Sequence, residues 1–421
     1  MLESILIKRF KSLEDTGPIA LTPFTVLFGP NAAGKSNSLD AVQLLSRLAS
    51  EKTLADAFAG PIRGSALEAF TLPPQGLAGL LSSERSPTFQ FESEFSTLDS
   101  RFRYLVEVGI NTSSGTLSVE NEYLATLSPK TGQPKGEPSI ECVESQIKIR
   151  RKDKPGRPRT EKVGLGYTQL SDRRFSGPYY RAIEKARDEL ASWRTYYLDP
   201  RMAMRAPQAP QEVTDIGPLG EHLAPFLYRL REEHPKIFQG VRRTIRTLVP
   251  SVEDVSVELD KKRGVLDVEI RQNGTPFSSR VVSEGTLRIL ALACIAHNPW
   301  GGTLVAFEEP ENGVHPRRIE LIAQMLISLA TDPKRAKQVV VTTHSPVFCG
   351  AVIKAAREQL GESQRSKISM YRVIREGQLT RLHNFDPAGP LFDDLSVARD
   401  LTAPSEDGIF EGLMLRGLLD E

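Results

Sequence analysis

The sequence predicts an α/β fold with a mixed central sheet, an antiparallel β subdomain and a small helical insertion. Three observations support this class. A glycine-rich loop stands between an apolar strand and an amphipathic helix near the amino terminus, residues 89–123 alternate between apolar and polar side chains, and two wholly apolar strands within residues 303–343 end in polar groups. Continuous apolar runs are typical of strands buried on both faces, whereas alternation indicates a sheet with one wet face.

The glycine-rich loop, Gly29-Pro30-Asn31-Ala32-Ala33-Gly34-Lys35-Ser36, matches the pattern G-x-x-x-x-G-K-[ST] in full. Residues 24–28 predict a buried strand before it, and an apolar residue at every third position from Leu39 to Leu48 predicts a helix after it. In such a loop the backbone N–H groups and the positive end of the helix hold phosphates, Lys35 reaches the β and γ oxygens, and Ser36 binds Mg²⁺. The alternative is a glycine-rich turn that matches the pattern by chance, and the predicted strand and helix on either side argue against it.

Composition places the chain among globular proteins. Of its 421 residues, 39% are hydrophobic and 25% are charged, and no apolar run is long enough to span a bilayer. The net charge of +1 gives no overall attraction for nucleic acid, so binding of that kind would need a local patch. The start of the chain does not resemble a secretory signal, and Cys142, Cys294 and Cys349 have no zinc-ligand spacing. We expect a cytoplasmic protein with reduced thiols.

Patterns along the chain suggest how it is divided. We expect two strands within residues 1–28, joined through residues 12–18, and a helix over 178–194 with Tyr179, Ile183 and Leu190 on its apolar face. Hairpins are expected around Gly264 and between residues 368–373 and 378–382, and a short helix is expected at 410–419. The predicted divisions are residues 1–170, the amino-terminal part of a nucleotide-binding head with the β meander; 171–250, the helical insertion; 251–385, the carboxy-terminal part of the head; and 386–421, a tail.

Residues 127–162 are rich in proline, glycine and cations. Clustered cations at a loop tip can neutralise phosphates, so contact with DNA is one interpretation. A solvated hairpin with a flexible tip is the other, and it is the more common meaning of a charge run. No aromatic residue interleaves the cations, which argues against base stacking. The cations considered for DNA contact are Lys148, Arg150, Arg151, Lys152, Lys154, Arg157 and Arg159.

Three further segments carry polar groups that suit phosphate chemistry. Ser283-Glu284-Gly285-Thr286 precedes a wholly apolar helix, whose N–H groups suit an anion, although serine before a helix is most often only an N-cap. The apolar strand 303–307 ends in two carboxylates, of which Glu308 would hold Mg²⁺ and Glu309 would orient or deprotonate an attacking water. The strand 339–343 ends in His344, which could donate a hydrogen bond to a γ-phosphate.

The order of these segments resembles the ATP-binding-cassette (ABC) ATPases, and most closely the branch of RecF, the structural-maintenance-of-chromosomes (SMC) heads and the OLD-like ATPases. These are AAA-family ATPases typical of bacterial DNA repair and anti-phage defence. The matching segments are residues 28–37 (FGPNAAGKSN), 282–288 (VSEGTLR), 307–316 (FEEPENGVHP) and 341–346 (VTTHSP). The resemblance spans residues 1 to about 385 and implies a P-loop NTPase fold of ABC type.

The resemblance also implies how the site works. Such ATPases bind ATP with Mg²⁺ and enclose two nucleotides between two subunits in head-to-tail pairing. By this resemblance Ser283 and Gly285 contact the γ-phosphate held by the partner's loop, and Asn312 crosses the same interface. Lys11 lies where family members often contact the nucleotide, and Asn37 continues the phosphate loop. Glu308 stands where aspartate is more common in the wider superfamily, which suits the OLD-like branch.

The resulting hypothesis is a dimerising ATPase that controls a DNA-directed or anti-phage assembly, with the nuclease or toxin on a separate chain. A slowly hydrolysing, ATP-gated scaffold or sensor is a second hypothesis, because slow and fast members share these motifs. A nuclease that uses Asp393 and Asp394 is a third, although too little chain follows His344 for a separate catalytic core. A membrane-transporter motor is disfavoured, because the segment between the phosphate loop and Ser283 is longer than such heads need.

Overall fold

The computed structural model describes residues 1–60, 63–83, 86–152, 157–332, 337–356 and 366–385. They form two compact units. Unit 1 comprises Met1–Thr25, Gly29–Arg194 and Tyr371–Phe385, and unit 2 comprises Val26–Phe28 and the described part of Thr195–Met370. None of the helices in these ranges is long and apolar enough to cross a membrane. The predicted tail helix at 410–419 and the tail carboxylates Asp393 and Asp394 lie outside the described residues.

Strands and helices alternate in groups along the chain. The strands are β1 (Leu2–Phe10), β2 (Leu13–Ala20), β3 (Phe24–Phe28), β4 (Thr88–Ser96), β5 (Arg101–Ile110), β6 (Leu117–Leu127), β7 (Ile140–Val143), β8 (Gln146–Ile149), β9 (Arg159–Lys162), β10 (Arg194–Tyr196), β11 (Asp254–Asp260), β12 (Val265–Gln272), β13 (Thr275–Ser278), β14 (Leu304–Glu308), β15 (Gln338–Thr343), β16 (Ile368–Glu376) and β17 (Leu379–Phe385). The helices are α1 (Lys35–Ser50), α2 (Leu54–Phe58), α3 (Gly76–Leu81), α4 (Arg181–Ala191), α5 (Leu223–Glu233), α6 (Pro235–Leu248), α7 (Glu284–His297), α8 (Ile319–Thr331) and α9 (Pro346–Lys354).

Unit 1 is built on an eight-stranded antiparallel sheet with the order β2-β1-β4-β5-β6-β7-β8-β9. Strands β4 and β5 pair without a break from Thr88↔Gly109 to Ser96↔Arg101, as their strict alternation requires. Phe10, Phe89 and Phe91 are fully buried, and their ring centroids lie 4.9–5.5 Å apart. Aromatic packing on the inward face therefore explains the meander that the sequence predicts.

The prediction of only two strands before the phosphate loop is wrong. Most of the predicted connection at residues 12–18 lies in β2 (Leu13–Ala20), which pairs with β1. The reversal between the two strands occurs at Lys11, whose φ of 51° is left-handed. A proline and a glycine in the segment suggested a loop, but an edge strand accepts both because one of its sides has no partner strand.

A carboxyl group lies inside unit 1. Glu122 on β6 is fully buried and accepts hydrogen bonds from the backbone N–H groups of Gln169 (2.7 Å) and Leu170 (2.9 Å) and from the Tyr104 hydroxyl (3.1 Å). Burial raises the pKa of Glu122 to about 7, because the charged form loses its hydration. The carboxyl group joins the meander to the segment that follows β9.

Unit 2 contains strands in the order β10-β14-β15-β3, and β14 and β15 are parallel with pairs from Leu304↔Gln338 to Glu308↔Thr342. Their side chains are buried up to Phe307 on β14 and throughout β15. Parallel strands bring their carboxyl ends to one edge of the sheet, so the residues that follow both strands meet there. This confirms the two apolar strands that the sequence predicts.

The other elements of unit 2 largely follow the sequence. Helix α7 is almost wholly buried, α5 and α6 meet at Pro235, and β11 and β12 form the hairpin around Gly264. Strand β13 was not predicted and adds a third member to this small sheet. Strands β16 and β17 are neighbours, as predicted, and their residues from Tyr371 onward belong to unit 1.

Candidate functional site

The phosphate loop in unit 1 has the backbone that its glycines allow. Gly34 has a φ of 99° and is the N-cap of α1, which has no side-chain cap. The Lys35 ammonium turns back over the loop and donates to the carbonyls of Gly29 (2.8 Å) and Pro30 (2.7 Å). The first N–H groups of α1 are thus not bonded to a capping side chain, and the positive end of the helix coincides with a buried cation. This combination fits a phosphate group.

Strand β17 supports the loop from behind. Thr380 Oγ1 donates to Ala33 O (2.8 Å) and lies 2.6 Å from Ser12 Oγ, which also accepts from Asn37 Nδ2 (2.7 Å). A Cβ atom at Gly34 would lie 2.0 Å from Thr380 Oγ1, so only glycine fits there. Neither Ser12 nor Thr380 was identified from the sequence, since each is an isolated hydroxyl far from the loop in sequence.

Lys11 is held by groups of unit 1. Its ammonium lies 2.5 Å from Oδ2 of Asp40, whose side chain is fully buried, and 2.9 Å from the carbonyl of Arg63. Arg63 also approaches Asp40, with 3.4 Å between Nη2 and Oδ2. The contact of Lys11 with a nucleotide stays a prediction, and the structure adds that Asp40 fixes the side chain beside α1.

Unit 2 brings Glu309 and His344 together. Their strands β14 and β15 are neighbours, and His344 Nδ1 lies 2.9 Å from Glu309 Oε1. Glu309 has a φ of 44°, and its N–H donates to Thr342 O (2.9 Å). A left-handed φ is unfavourable for glutamate, so the surrounding structure holds this residue in a strained position. A carboxylate beside an imidazole at the ends of two strands can accept a proton from water.

A second carboxyl group, Glu311, lies behind this pair. It is almost fully buried, its Oε1 accepts a hydrogen bond from Thr343 Oγ1, and its Oε2 has no hydrogen-bond partner among the described residues. Thr343 Oγ1 also accepts from the N–H of Ser345 (3.0 Å), and so fixes the turn that carries His344. Burial raises the pKa of Glu311 to about 7. No local pattern marks Glu311 as part of the site, although it is the third glutamate in 308-EEPE-311.

The segments around Ser283 and Asn312 also meet within unit 2. Ser283 is the N-cap of α7 and accepts from the N–H of Thr286 (3.2 Å), as the ordinary N-cap interpretation predicts. A Cβ atom at Gly285 would lie 2.5 Å from Gly313 O, so glycine permits the close approach of the Asn312–Gly313 turn. Ser283 and Asn312 both remain exposed in the single chain.

The predicted Mg²⁺ ligands belong to different units. Ser36 lies in the first turn of α1, and Glu308 is the last residue of β14, opposite Thr342. A hydroxyl and a carboxylate are donors of the hard type that Mg²⁺ prefers, so both residues fit the ion. Within the part of the chain that the structure describes, no cluster of three or more His, Cys, Asp or Glu side chains forms a separate metal site.

The cations considered for DNA contact lie on and after β8. Two of them have acidic neighbours: Arg150 pairs with Glu141 (2.7 Å), and Arg159 pairs with Glu161 (2.9 Å). Lys154 lies outside the described residues. The other described members of the set are Lys148, Arg151, Lys152 and Arg157.

Comparison with known proteins identifies the family. Residues 24–350 match the family model described as "AAA domain, putative AbiEii toxin, Type IV TA system". No curated protein sequence is significantly similar to the chain. Two solved structures that resemble it are the SMC head domain from Thermotoga maritima (14% identity, 91% of this chain and 99% of that chain, TM-score 0.42) and the Smc head domain with an extended coiled coil bound to the C-terminal domain of ScpA from Pyrococcus furiosus (12% identity, 95% and 99%, TM-score 0.49).

The matched segment contains the phosphate loop, the two carboxylates at 308–309 and His344, and it spans more than half of the chain. The chain therefore belongs to this family of AAA domains.

Proposed function

We propose that this protein hydrolyses ATP to ADP and phosphate. The observation that carries the proposal is the Glu309–His344 pair, in which a strained carboxylate lies 2.9 Å from an imidazole at the carboxyl ends of two parallel strands. Glu309 orients and deprotonates the attacking water, and His344 contacts the γ-phosphate. Lys35 and the N–H groups of residues 29–37 hold the phosphates. Ser36 and Glu308 would hold Mg²⁺, which would neutralise phosphate charge.

We further propose that the working form is a head-to-tail homodimer. Ser283 and Asn312 are exposed in the single chain, and Gly285 keeps their two segments in contact. Val281, two residues before Ser283, leaves 73% of its surface exposed, as expected of an apolar group at an interface. In the dimer, Ser283 and Gly285 of one subunit complete the ATP site of the other.

The ATPase cycle is proposed to control a DNA-directed or anti-phage assembly in the cytoplasm. The description of its family names a toxin of a type IV toxin–antitoxin system, which supports a role in defence. We propose that the nuclease or toxin belongs to a separate chain. The same proposal includes contact between DNA and the cations within residues 148–159.

The test is phosphate release from Mg²⁺–ATP as a function of protein concentration. A shared site predicts that turnover per subunit rises with concentration until the dimer is saturated, because each site needs two chains. Turnover per subunit that is independent of concentration, in a protein that remains monomeric with ATP, would contradict the shared site. Absence of phosphate release at every concentration would contradict the ATPase itself.

Two alternatives give different results in the same preparations. A scaffold or sensor predicts ATP-dependent dimers whose turnover is far slower than the exchange of partners. A nuclease in its own right predicts cleavage of plasmid DNA by the purified chain with Mg²⁺. We expect no cleavage.

A further inference from the structure

A cleft of about 710 Å³ lies within unit 1, away from the phosphate loop in sequence. One wall is the start of β5 and the end of β6, and another is the segment at 150–152 that follows β8. The first turn of α4, from Arg181 to Ile183, closes a third side. The volume is within the range of small-molecule sites, about 300–1,000 Å³. The cleft is therefore large enough for a small organic ligand.

The cleft carries an excess of positive charge. Eight lysine and arginine residues line it, against Asp99 and Glu137. Three of the cations are neutralised: Arg101 by Glu94, Arg150 by Glu137, and Lys185 by Asp99. The other five form no ion pair with any residue that the structure describes: Lys135, Arg151, Lys152, Arg157 and Arg181.

These cations converge with the positive end of a helix. Helix α4 is eleven residues long, and its N-cap, Tyr180, provides no capping side-chain bond. The helix dipole therefore adds to the charge of the unpaired cations on the same cleft wall. A monovalent carboxylate would leave most of this charge unbalanced, whereas a ligand with one or more phosphates matches it.

Tertiary structure also brings two tyrosines to the cations. Arg151 Nε donates to the Tyr180 hydroxyl (3.2 Å), and the N–H of Lys152 donates to the Tyr179 carbonyl (2.8 Å). The Tyr180 ring is fixed by an edge contact with Phe175, with centroids 5.1 Å apart. Tyr179 was expected on the buried face of the helix, but it precedes α4 and is 48% exposed in the cleft wall. The sequence argument against stacking, that no aromatic residue interleaves the cations, therefore does not hold for the folded chain.

We propose that this cleft binds a nucleotide unit, with its phosphate on Arg151, Lys152 and Arg181 and its base against the ring of Tyr179. A base inside a duplex has both faces covered by its neighbours, so stacking on a side chain requires an unpaired base. The unit comes from a single strand of nucleic acid or from a free nucleotide, which share this chemistry. The proposal deepens the DNA contact in the proposed function and replaces a diffuse basic surface with one cleft.

The experiment is fluorescence anisotropy of a labelled twelve-residue oligothymidylate with the full chain, in EDTA and without ATP. These conditions make the result independent of ATP hydrolysis. We expect binding of the single strand and weaker binding of a blunt duplex of the same length. Tyr179→Ala should weaken binding about tenfold or more, the size of one lost base stack, and Tyr179→Phe should restore it. The melting temperature of each variant is the control for correct folding.

A matched pair of charge variants separates the cleft from the basic surface in general. Lys152→Ser should weaken binding. It should also reduce the slope of log affinity against log salt concentration by about one. Lys162→Ser removes the same charge from β9, outside the cleft, and should leave binding unchanged. Equal losses of affinity in both variants would support DNA contact by the basic surface in general and would contradict binding in the cleft. No binding of the single strand or of labelled thymidine monophosphate would overturn both.

Competition between the oligonucleotide and a free nucleotide identifies which of the two the cleft binds. Displacement of the oligonucleotide by millimolar thymidine monophosphate, sensitive to Tyr179→Ala, assigns a free nucleotide. Failure to displace it assigns the single strand. A duplex that binds as tightly as the single strand, with no effect of Tyr179→Ala, contradicts the proposal.

Discussion

The imidazole of His344 and the carboxylate of Glu309 are in contact, with Nδ1 2.9 Å from Oε1, although 34 residues of chain separate them. Each residue directly follows or ends a buried strand, and those strands are parallel neighbours. The pairing consequently depends on strand order in the sheet. This contact and the backbone bond of Glu309 to Thr342 position the carboxylate, as required of a group that must meet one water molecule.

Glu309→Gln should abolish most ATP turnover while it leaves ATP binding in place. Glutamine retains the shape but cannot accept a proton, and general-base catalysis contributes about 10²- to 10⁴-fold in rate. Phosphate release under saturating ATP measures the effect, and binding of a fluorescent ATP analogue is the control. Equal rates for the wild type and the variant would remove Glu309 from the proposed role.

Ser283→Arg should leave ATP binding to the isolated subunit nearly intact but abolish ATP-dependent dimerisation and turnover. Ser283 is exposed and belongs to the surface proposed to meet the partner's nucleotide, where a long cation would block approach. Loss of the N-cap of α7 alone costs about 1 kcal/mol. Ser283→Ala is the control for that loss, and it should dimerise better than the arginine variant in light scattering. Normal hydrolysis by Ser283→Arg would make the shared site wrong.

Gly34→Ala should prevent nucleotide binding. Its Cβ would lie 2.0 Å from Thr380 Oγ1, and the φ of 99° is unfavourable for alanine, so the loop must shift away from the phosphate-binding geometry. Gly115→Ala is the matched control, because Gly115 also has a positive φ (70°) but no atom within 4 Å of the added Cβ. Calorimetric titration with ATP should show binding for the control alone. Binding of ATP by Gly34→Ala with wild-type affinity would contradict the support assigned to Thr380.

Thr343→Val should both destabilise the protein and slow ATP turnover. Valine removes the hydroxyl that donates to buried Glu311 and accepts from Ser345, and a buried polar group left without its partner costs about 1–3 kcal/mol. The turn that carries His344 then loses its fixed position. Thr343→Ser keeps the hydroxyl and should retain turnover. If valine lowers the melting temperature but turnover at 25 °C is unchanged, Thr343 serves stability alone.

Glu122 should make the protein less stable as the pH rises. A carboxylate whose pKa is lowered in the folded protein has the opposite effect. Its pKa is raised from 4.5 to about 7, so the folded protein retains the proton up to about pH 7 while the unfolded chain releases it near 4.5. Stability from this group is therefore complete below pH 4.5 and is lost as the pH rises to 7, by about 3 kcal/mol in the free energy of unfolding.

Urea unfolding at pH 5.0 and 7.5 measures this effect as a difference between variants. Glu122→Gln cannot titrate, so the stability of the wild type relative to this variant should fall between the two pH values. Glu120→Gln, an exposed neighbour, should show no such change. A constant difference between the wild type and Glu122→Gln would contradict the raised pKa.

Periodicity and local motifs were enough to predict most of the elements. The meander, the buried helix α7, the strands β14 and β15 and the phosphate loop each have a pattern contained in one short segment, because local burial imposes that pattern directly. The error at β2 has the same origin. An edge strand has a weaker pattern, and its proline and glycine at positions 17–18 indicated a turn.

Residues whose role depends on a distant partner could not be predicted in this way. Thr380 is one hydroxyl on a hairpin, and only the fold places it against Gly34. Glu311 is visible in the sequence as a glutamate, but its burial and its bond to Thr343 are not. Tyr179 shares the spacing of a buried helical face, and only its position before α4 exposes it beside Arg151 and Lys152.

The sequence by itself determined the family and the chemical types at the site: a phosphate loop, a pair of carboxylates, a histidine and a serine helix, each in its own segment. Tertiary structure decided which of these groups touch and which side chains support them. The physical reason is that local sequence dictates backbone conformation and burial, whereas contacts between segments depend on strand order and packing, which no single segment contains.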